Sequence, residues 1–460
     1  MNSIIESQIN FAHAHREETL RDLMDLVMIP SISTSAEHTG DIQKAAEWIA
    51  DYLKKMGASS VQIMPTGGHP VVYGEMKADK GSAQTVLVYG HYDVQPPEPL
   101  DLWISEPFLP VIRDGCLFGR GTSDMKGQSL ACLSAIKALL SSGPLPVNIK
   151  FLFEGEEEIG SPNLAKFLEK NRELFKSDFA LNPDAGMISE NCPNIVYGLR
   201  GLAYFELRVY GPSHDLHSGT FGGSVLNPAN ALCALIAGMH DEENKVTLPG
   251  FYDKVRAISP KEHDEFTKLP MDEEYYLAQS GAPELWGEKG YLPVERVGAR
   301  PTLDVNGFLT GFTGKGSKTV IPAWAMAKIS MRLVPDQNAA EVKGQLEAYL
   351  KKHAPGAVRW ELEQMASGPA CATDPFSYSS NTLYRALEET WGTKPAYKRE
   401  GGSVPIVGEM QKILGFDSVL TGFGLPDDNV HSPNERLHLE TFYKGVDSLI
   451  RFFNYLGEVH

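Results

Sequence analysis

A chain of 460 residues is longer than one hydrophobic core usually supports, so two domains, or one domain with a large insertion, are expected. Hydrophobic residues make up 42% and charged residues 22%, which excludes a fibrous or mainly disordered chain. The formal net charge of -17 repels polyphosphate and anionic lipid, so neither nucleic acid nor a membrane is expected as a partner.

The cysteines and the N-terminal segment bear on the compartment. The five cysteines lie far apart and form neither a CxxC pair nor the spacing of a disulfide scaffold, which is typical of reduced thiols. Residues 1–16 lack the basic and apolar regions of a signal peptide, and no apolar run is long enough to cross a bilayer. We therefore expect a cytoplasmic protein.

Hydrophobic spacing predicts helices over 17–28 and 41–56, joined by the turn-forming segment 29–33. The predicted elements that follow are strand 85–89, helix 129–140, strand 147–153 and strand 179–181. Such alternation of strand and helix indicates an α/β layered sheet.

The pattern changes near Gly201, where residues 203–210 alternate apolar and polar side chains like a half-solvated strand. Later predicted elements are strand 325–334, helix 339–352, strand 358–362, helix 379–391, strand 418–423 and helix 439–456. The simplest architecture is an α/β domain built from residues 1–201 and 368–460, with a two-layer domain of residues 202–367 inserted between them.

Polar loops containing Asp, Glu or His collect at the ends of the predicted strands, where open α/β sheets bind ligands. These loops are residues 90–93, 119–127, 154–161, 182–186 and 425–432. Each loop taken alone has a plain structural explanation as a solvated histidine, a helix cap or an Asx turn. Those explanations do not account for five such loops at successive strand ends.

The acidic run at the end of strand 147–153 is the most informative of these loops. Adjacent carboxylates repel one another, and a bound cation or a proton relieves that repulsion. Acidic runs usually lie on solvated helix faces or tails, whereas this run ends an apolar strand, which favours a metal site. Spacing alone does not tell which of Glu156, Glu157 and Glu158 would bind the metal.

The ligand types indicate the metal and its chemistry. Two histidines and several carboxylates, without cysteine, suit Zn²⁺, Mn²⁺ or Co²⁺. Two such ions sharing a carboxylate activate a water for hydrolysis, and a carboxylate left over from ligation can accept the proton of that water. Competing schemes find less support: Ser403 and Ser432 lack a GxSxG motif, and no GxxxxGK[ST] phosphate loop is present.

Ordered motifs in this chain resemble those of a known family of two-metal hydrolases. They are Gly-His-Tyr-Asp-Val-Gln-Pro at 90–96, Gly-Arg-Gly-Thr-Ser-Asp-Met-Lys-Gly at 119–127, Glu-Glu-Ile-Gly-Ser at 157–161 and Asp-Asn-Val-His-Ser at 428–432. The family includes aminoacylase, carboxypeptidase G and succinyl-diaminopimelate desuccinylase, and the chain resembles most its carnosinase-type (cytosolic non-specific) dipeptidases. The resemblance covers nearly the whole chain. It implies a zinc-peptidase-like α/β/α catalytic domain with an inserted two-layer α+β lid and dimerisation domain.

The resemblance also implies roles for individual residues. The implied metal ligands are His91 and Asp184 for one ion, Glu158 and His431 for the other, and Asp124 as the bridge between them. Asp93 is implied to orient His91. The position of Gly160 and Ser161 implies that Glu157 is the general base and Glu156 a bystander, whereas a register shifted by one would make Glu156 the base.

Residues of the inserted domain complete the implied site. Asp at position 184 and the length of the insertion both resemble the dipeptidase branch. The resemblance implies that His217 polarises the scissile carbonyl across a homodimer and that Arg332 binds the substrate carboxylate. Thr319 and Ser403 are implied to add hydrogen bonds. Without the resemblance, a plain turn is the alternative explanation of His217, and a charge on a strand surface, the commoner position of a lone arginine, is that of Arg332.

The expected function is that of a metal-dependent dipeptidase, a metallopeptidase that hydrolyses small dipeptides with a water activated by two divalent ions. Zn²⁺ is the first expectation for these ions, with Mn²⁺ or Co²⁺ as alternatives. An N-acyl amino acid deacylase or desuccinylase would use the same metals and base and is the nearest alternative. A catalytically silent relative would be free to lose the ligands, all of which are present here.

Overall fold

A computed structural model describes residues 2–79, 83–402 and 404–458. The helices in these ranges are α1 (Asn2–Ala14), α2 (Arg16–Val27), α3 (Thr39–Lys55), α4 (Lys126–Leu140), α5 (Leu164–Lys170), α6 (Arg172–Phe175), α7 (Ser218–Phe221), α8 (Pro228–Ala237), α9 (Pro260–Thr267), α10 (Glu273–Ser280), α11 (Pro293–Ala299), α12 (Ala339–His353), α13 (Tyr378–Trp391), α14 (Pro405–Leu414) and α15 (Leu439–Leu456). Short 3₁₀ turns are found at Ala36–His38, Leu100–Leu102 and Glu157–Ile159.

The strands are β1 (Ser59–Met64), β2 (Val71–Met76), β3 (Thr85–His91), β4 (Val111–Arg113), β5 (Cys116–Phe118), β6 (Asn148–Glu154), β7 (Phe179–Asn182), β8 (Asn194–Leu199), β9 (Gly201–Tyr210), β10 (Leu216–His217), β11 (Thr302–Thr310), β12 (Val320–Ile321), β13 (Trp324–Leu333), β14 (Arg359–Gly368), β15 (Cys371–Ala372), β16 (Ala396–Glu400), β17 (Ser418–Leu420) and β18 (Arg436–His438).

Contacts between residues group the chain into two units. The first consists of Met1–Tyr197, Thr373–Lys398 and Ile406–His460, and the second of Gly198–Ala372 and Arg399–Pro405. The boundaries predicted from the sequence, 202 and 367, lie within five residues of the long insertion observed here. The short segment 399–405 groups with the second unit, although the sequence analysis assigned it to the first domain.

The first unit is built on a mixed sheet with the order β1-β2-β6-β3-β7-β17-β8. Its central strands β6, β3, β7 and β17 are parallel, whereas β1, β2 and β8 run antiparallel to their neighbours. Strands covered on both faces carry nearly continuous apolar residues, and Val86–Tyr89 of β3 is such a run, fully buried. The parallel arrangement brings the carboxyl ends of four strands to one edge.

Helices cover both faces of this sheet. Tyr73 of β2 packs edge-on against Phe175 of α6, with 5.4 Å between the ring centroids. The next residue, Gly74, faces α3, where an added Cβ would lie 3.2 Å from Cδ1 of Leu53. Successive side chains of a strand point to opposite faces, so α6 and α3 lie on opposite sides. The expected α/β/α layering is confirmed.

The second unit has an antiparallel sheet with the order β11-β13-β9-β14. Along β13, fully buried residues alternate with partly exposed ones, as expected for a sheet with one covered face. Helices α8 and α12 pack against β9. This is the two-layer α+β arrangement predicted for the inserted domain.

Most predicted elements differ from the observed ones by one to three residues at their ends, and α15 has the predicted bounds. The strand predicted at 418–423 is too long, because β17 ends at Leu420. Beyond that point the backbone N–H of Phe423 donates to the side chain of Gln128 instead of to a strand. None of the helices in the described ranges combines the length and apolar character that a bilayer crossing requires.

Candidate metal centre

The predicted ligands of the first unit lie at one edge of its sheet. His91 is the last residue of β3, and β6 ends at Glu154, just before the acidic run. Asp184 follows the end of β7, and His431 lies in the loop after β17. Adjacent parallel strands end side by side, so residues far apart in sequence meet here, as expected for an α/β sheet.

His91 is held in a defined orientation by the segment that follows it. Its Nδ1 lies 3.1 Å from the backbone oxygen of Asp93 and 3.5 Å from Oδ1 of the same residue. A proton on Nδ1 leaves the Nε2 lone pair available to a ligand. The Asp93 carboxylate also accepts the backbone N–H groups of Glu157 at 3.3 Å and Glu158 at 3.0 Å. Asp93 therefore connects the His91 loop to the acidic run.

Asp184 and Asp124 occupy different local structures. The side chain of Asn182 accepts the backbone N–H of Asp184 at 2.8 Å, so the Asx turn considered in the sequence is present and positions Asp184. Asp124, in contrast, is not the helix cap considered as its alternative, since the N-cap position of α4 is Met125. The peptide bond between Asp124 and Met125 is cis.

Among the described residues, two groups of possible metal ligands come together, and they share Asp124. In the first group, Nε2 of His91 lies 3.1 Å from Oδ1 of Asp124 and 3.9 Å from Oδ2 of Asp184. In the second, Nε2 of His431 lies 2.9 Å from Oδ2 of Asp124 and 3.2 Å from Oε2 of Glu158. Each oxygen of Asp124 thus faces a different imidazole.

The donor set fits two divalent cations. Imidazole nitrogen and carboxylate oxygen bind borderline-to-hard ions at about 2.0–2.2 Å, so ligand atoms around one ion lie within a few ångströms of one another. The potential ligand atoms of each group lie within 4.8 Å of one another. The sequence motifs and this geometry together indicate the binding of two metal ions. They do not specify which metal is bound.

The three consecutive glutamates have different surroundings. Glu156 is buried away from the ligands, where its carboxylate accepts the backbone N–H of His69 at 3.0 Å and the side chain of Asn163 at 3.0 and 3.1 Å. Glu158 accepts the amide of Gln95 at 2.8 Å beside His431. Glu157 is the first residue of the 3₁₀ turn Glu157–Ile159, and its carboxyl group interacts with the charges of the ligand groups.

The concentration of carboxylates changes their proton affinities. Burial, together with the charges of Asp184 and Asp124, raises the pKa of Glu157 to about 9. Burial and the charges of Asp124 and Glu158 likewise raise the pKa of Asp184 to about 7. Although burial alone would raise the pKa of Asp124, hydrogen bonds from His431 and His91 hold it well below its usual range. A bound cation would favour the ionised carboxylates.

His431 is presented by a strained turn. Its backbone φ is 62° and that of Asn429 is 54°, both in the left-handed region that non-glycine residues seldom adopt. Hydrogen bonds to Asp124 and Glu158 raise the pKa of His431 to about 10. The left-handed backbone of Asn429 and His431 persists only where the surroundings impose it, and strain of this kind is concentrated at functional sites.

Two residues beside the ligands were given no role in the sequence analysis. Gln95 belongs to the motif at 90–96, which was the available signal in the sequence, whereas its hydrogen bond to Glu158 is seen only in the structure. Glu435 lies four residues after His431 and looks like an ordinary surface charge in the sequence, but it is completely buried. An isolated glutamate carries no pattern that would predict this burial.

A pocket of about 220 Å³ opens beside Asp124 and Asp184. Its other lining residues are Ser123, Gln128, Ala185, Gly186, Gly424, Leu425 and Val430. Most of them carry small or apolar side chains. The pocket therefore adjoins Asp184 and the aspartate that the two ligand groups share.

The remaining predicted residues belong to the second unit. His217 is exposed and caps α7, with its Nδ1 accepting the backbone N–H of Gly219 at 3.0 Å. The exposed Thr319 lies close by, since its carbonyl accepts the N–H of Ser218. Arg332 is half-buried on β13, in register with Thr302 and Leu202. Ser403, the last predicted substrate contact, lies outside the described residues.

Two ligand groups that share an aspartate lie at the carboxyl ends of the parallel strands of the mixed sheet, an arrangement typical of two-metal hydrolases. The pattern of peptidase family M20/M25/M40 matches residues 87–455. The chain belongs to this family. The resemblance found in the sequence is confirmed, and with it the assignment as a metallopeptidase.

Three relatives illustrate the similarity. The Cys-Gly metallodipeptidase DUG1 of Candida albicans is 32% identical, over 95% of this chain and 94% of that protein. The structure of human carnosine dipeptidase 1 has a TM-score of 0.81 at 30% identity, covering 99% of both chains. That of the M20 family metallo-carboxypeptidase Sso-CP2 from Sulfolobus solfataricus has a TM-score of 0.86 at 34% identity, covering 96% of this chain and 100% of that one.

Proposed function

We propose that this protein is a metal-dependent dipeptidase that hydrolyses dipeptides with two divalent ions and a glutamate general base. The observation that carries the proposal is that the two oxygens of the Asp124 carboxylate contact different histidines. Oδ1 faces His91 and Oδ2 faces His431. A carboxylate placed in this way can join two metal sites. The names of two similar proteins, a Cys-Gly metallodipeptidase and a carnosine dipeptidase, support a dipeptide as the substrate.

In this proposal His91 and Asp184 would hold one ion, Glu158 and His431 would hold the other, and Asp124 would contribute to both sites. Zn²⁺ is the proposed metal, and Mn²⁺ or Co²⁺ fit the same nitrogen and oxygen donors. Bound at these positions, the two ions would polarise the scissile carbonyl and lower the pKa of the attacking water. Asp93 fixes the tautomer of His91 and the position of the acidic run.

Glu157 is the proposed general base. It accepts a proton from the attacking water and then delivers that proton to the leaving amine. The same carboxylate thus serves first as the base and then as the acid. The charges of Asp184, Asp124 and Glu158 act on its carboxyl group, and this proximity to the proposed ligands supports the role. The contacts of Glu156 with His69 and Asn163 support the register in which Glu156 takes no part in the chemistry.

Residues of the second unit are proposed to recognise the substrate. Arg332 binds the substrate carboxylate through a bidentate pair, and Thr319 and Ser403 add hydrogen bonds to it. His217 is proposed to stabilise the developing oxyanion in the active site of the partner subunit. This role requires a homodimer.

The proposed homodimer forms through β11, with a second copy of the chain as the partner. Within the described ranges, β11 pairs along one side only, with β13. Three apolar residues of this edge strand are at least 40% exposed: Val305, Phe308 and Leu309. An unpaired strand edge with exposed apolar side chains favours pairing with another chain.

A cytoplasmic location is also proposed, supported by five cysteines that are all free thiols.

The test is hydrolysis by chelated protein after Zn²⁺, Mn²⁺ or Co²⁺ is added back, with metal content measured on the same sample. Dipeptides, N-acetyl amino acids and C-terminally extended peptides are compared. Restored dipeptide cleavage at about two ions per chain supports the proposal. Cleavage of only N-acetyl amino acids would make the protein a deacylase, and preference for long peptides would make it a carboxypeptidase. Absence of metal binding would refute the two-metal site.

A further inference from the structure

Glu435 lies in a hydrogen-bond cluster next to the candidate metal centre. Its side chain is completely buried, and its two oxygens receive different donors. Oε1 accepts the backbone N–H groups of Ser123 at 3.0 Å and Asp124 at 3.1 Å. Oε2 accepts the guanidinium of Arg120 at 2.7 Å and the backbone N–H of Gly121 at 3.0 Å. The carboxylate therefore holds the loop that carries Asp124 along most of its length.

The strand pairing explains how a residue after His431 reaches this loop. The loop with Asp124 begins directly after β5, and the loop with His431 ends directly before β18. These strands are antiparallel neighbours, with Arg436 opposite Phe118. Glu435, immediately before β18, thus lies beside the start of the Asp124 loop. Its own chain carries His431, so Glu435 connects two segments that supply possible metal ligands.

The cluster extends to a third segment through Arg120. Nη2 of Arg120 donates to the backbone oxygen of Pro96 at 3.1 Å, while Nη1 donates to Glu435. Pro96 belongs to the loop that begins at His91. One buried Glu–Arg pair therefore joins the three loops that carry His91, Asp124 and His431.

Such a pair tolerates little change. A buried carboxylate is stable only when its lone pairs are satisfied, and here a guanidinium and backbone N–H groups satisfy them. Replacement by glutamine would place an amide N–H₂ against these donors and leave Arg120 without its counter-charge. The loop would then shift to relieve the unfavourable contacts.

We infer that Glu435 is a positioning residue: through the backbone of residues 121–124, it sets the Asp124 carboxylate against His431 and thereby determines how tightly the metal ions are held. This inference rests on the two-metal function proposed above. Glu435 does not contact either ion in this scheme and acts through the Asp124 loop.

The experiment titrates the full-length, metal-free protein with Co²⁺ alone, whose visible absorption reports both binding and coordination geometry. Outer partners of metal ligands typically contribute about 10- to 100-fold in metal affinity. Glu435→Gln should bind Co²⁺ about 10- to 100-fold more weakly than the unaltered protein, with a changed spectrum. Circular dichroism establishes that the variant is folded at the temperature used. Glu435→Asp keeps the charge on a shorter stem and should give an intermediate affinity.

The matched control is Glu288→Gln. Glu288 forms a buried bidentate pair with Arg300, with both contacts at 2.8 Å, but it belongs to the second unit and not to the metal centre. Its loss should lower the unfolding temperature while Co²⁺ affinity stays unchanged. A purely structural role of Glu435 would give the same result as this control.

The outcomes are distinct. Unchanged Co²⁺ affinity and spectrum in folded Glu435→Gln would overturn the inference. If that variant does not fold, Glu435→Asp decides: weaker binding supports the inference and unaltered binding overturns it. If the unaltered protein binds no Co²⁺, the proposed two-metal function fails, and the inference fails with it. Failure of the inference alone would leave Co²⁺ binding by the unaltered protein intact.

Discussion

At the scale of single residues, the acidic run shows how position decides the role of chemically identical side chains. Glu156, Glu157 and Glu158 follow one another, yet only Glu156 is fixed by the backbone of His69 and the side chain of Asn163. Glu158 lies against His431. This leaves Glu157 as the carboxylate that is near the ligands and available for proton transfer in the proposed mechanism.

Replacing Glu157 by glutamine is expected to lower kcat by about 10²- to 10⁴-fold, the range typical of a lost general base. Metal content should stay the same, because Glu157 is not a proposed ligand. The measurement is steady-state hydrolysis of a dipeptide together with metal analysis of the same sample. Glu156→Gln is the control and should retain most of kcat. Loss of activity in Glu156→Gln with full activity in Glu157→Gln would shift the register by one.

Glu154 is expected to make the metal-free protein less stable as the pH rises. Burial and then the charge of Asp93 raise the pKa of Glu154 from its ordinary value of 4.5 to about 8. Between these values the folded state keeps a proton that the unfolded state has released. The stabilisation is thus complete below pH 4.5 and is lost as the pH rises through about 8.

Glu154→Gln tests this expectation. Glutamine keeps the acceptor for the hydroxyls of Tyr89 and Ser161 but has no proton to release. One pKa unit corresponds to about 1.4 kcal/mol, so the contribution of Glu154 amounts to a few kcal/mol across the window. Unfolding of chelated protein between pH 5 and pH 8 should therefore depend less on pH in the variant. Parallel pH profiles for the two proteins would contradict the assignment.

At the scale of elements, α15 depends on a close approach that only glycine allows. A Cβ at Gly445 would lie 2.4 Å from the Phe423 ring, in the segment that leads from β17 to His431. The helix therefore packs directly against the chain that carries a possible ligand. In α12, by contrast, Gly344 has open space around its Cα.

Alanine substitutions at these two glycines should have opposite effects. Gly344→Ala is expected to stabilise the protein by about 0.5–1 kcal/mol, since alanine favours the helix over glycine. Gly445→Ala should be destabilising by about 1–3 kcal/mol, because overpacking against Phe423 outweighs the helix preference. Scanning calorimetry measures both shifts. A higher unfolding temperature for Gly445→Ala would show that Phe423 can move aside.

At the scale of the whole molecule, assembly would complete the proposed active site. His217 is exposed in its own chain, and the proposal requires it to act in a partner subunit. The proposed interface lies along β11, where Phe308 has 45% of its surface exposed. In the proposal, this exposed aromatic side chain packs against a second copy of the chain.

Phe308→Glu is expected to convert the dimer into a monomer and to reduce dipeptide hydrolysis at the same time, because His217 would no longer reach a partner. Light scattering after size-exclusion chromatography measures the mass, and activity is assayed on the same fractions. Met365→Glu is the control: Met365 is 48% exposed on β14, the opposite edge strand, and the variant should stay dimeric. A fully active monomer would refute the role of His217.

Local patterns in the sequence were sufficient for the class of this protein. Apolar runs and helical spacing depend on neighbours a few residues away, so β3, β6 and α4 were predicted with small errors at their ends and α15 with none. The motifs at 90–96, 119–127, 157–161 and 428–432 supplied the donor types and the family. Donor chemistry follows from residue type, which the sequence states directly.

The tertiary structure alone decided which of these residues meet and what surrounds them. Glu435 contacts Arg120 across 315 residues of sequence, through the pairing of β18 with β5, and no local pattern encodes that pairing. The segment 399–405 likewise groups with the inserted domain through contacts with residues that are distant in sequence. The sequence by itself determined the fold class and the candidate ligands, because these depend on residue type and local spacing. Burial, hydrogen-bond partners and the different surroundings of three adjacent glutamates depend on contacts between distant segments, which only the folded chain creates.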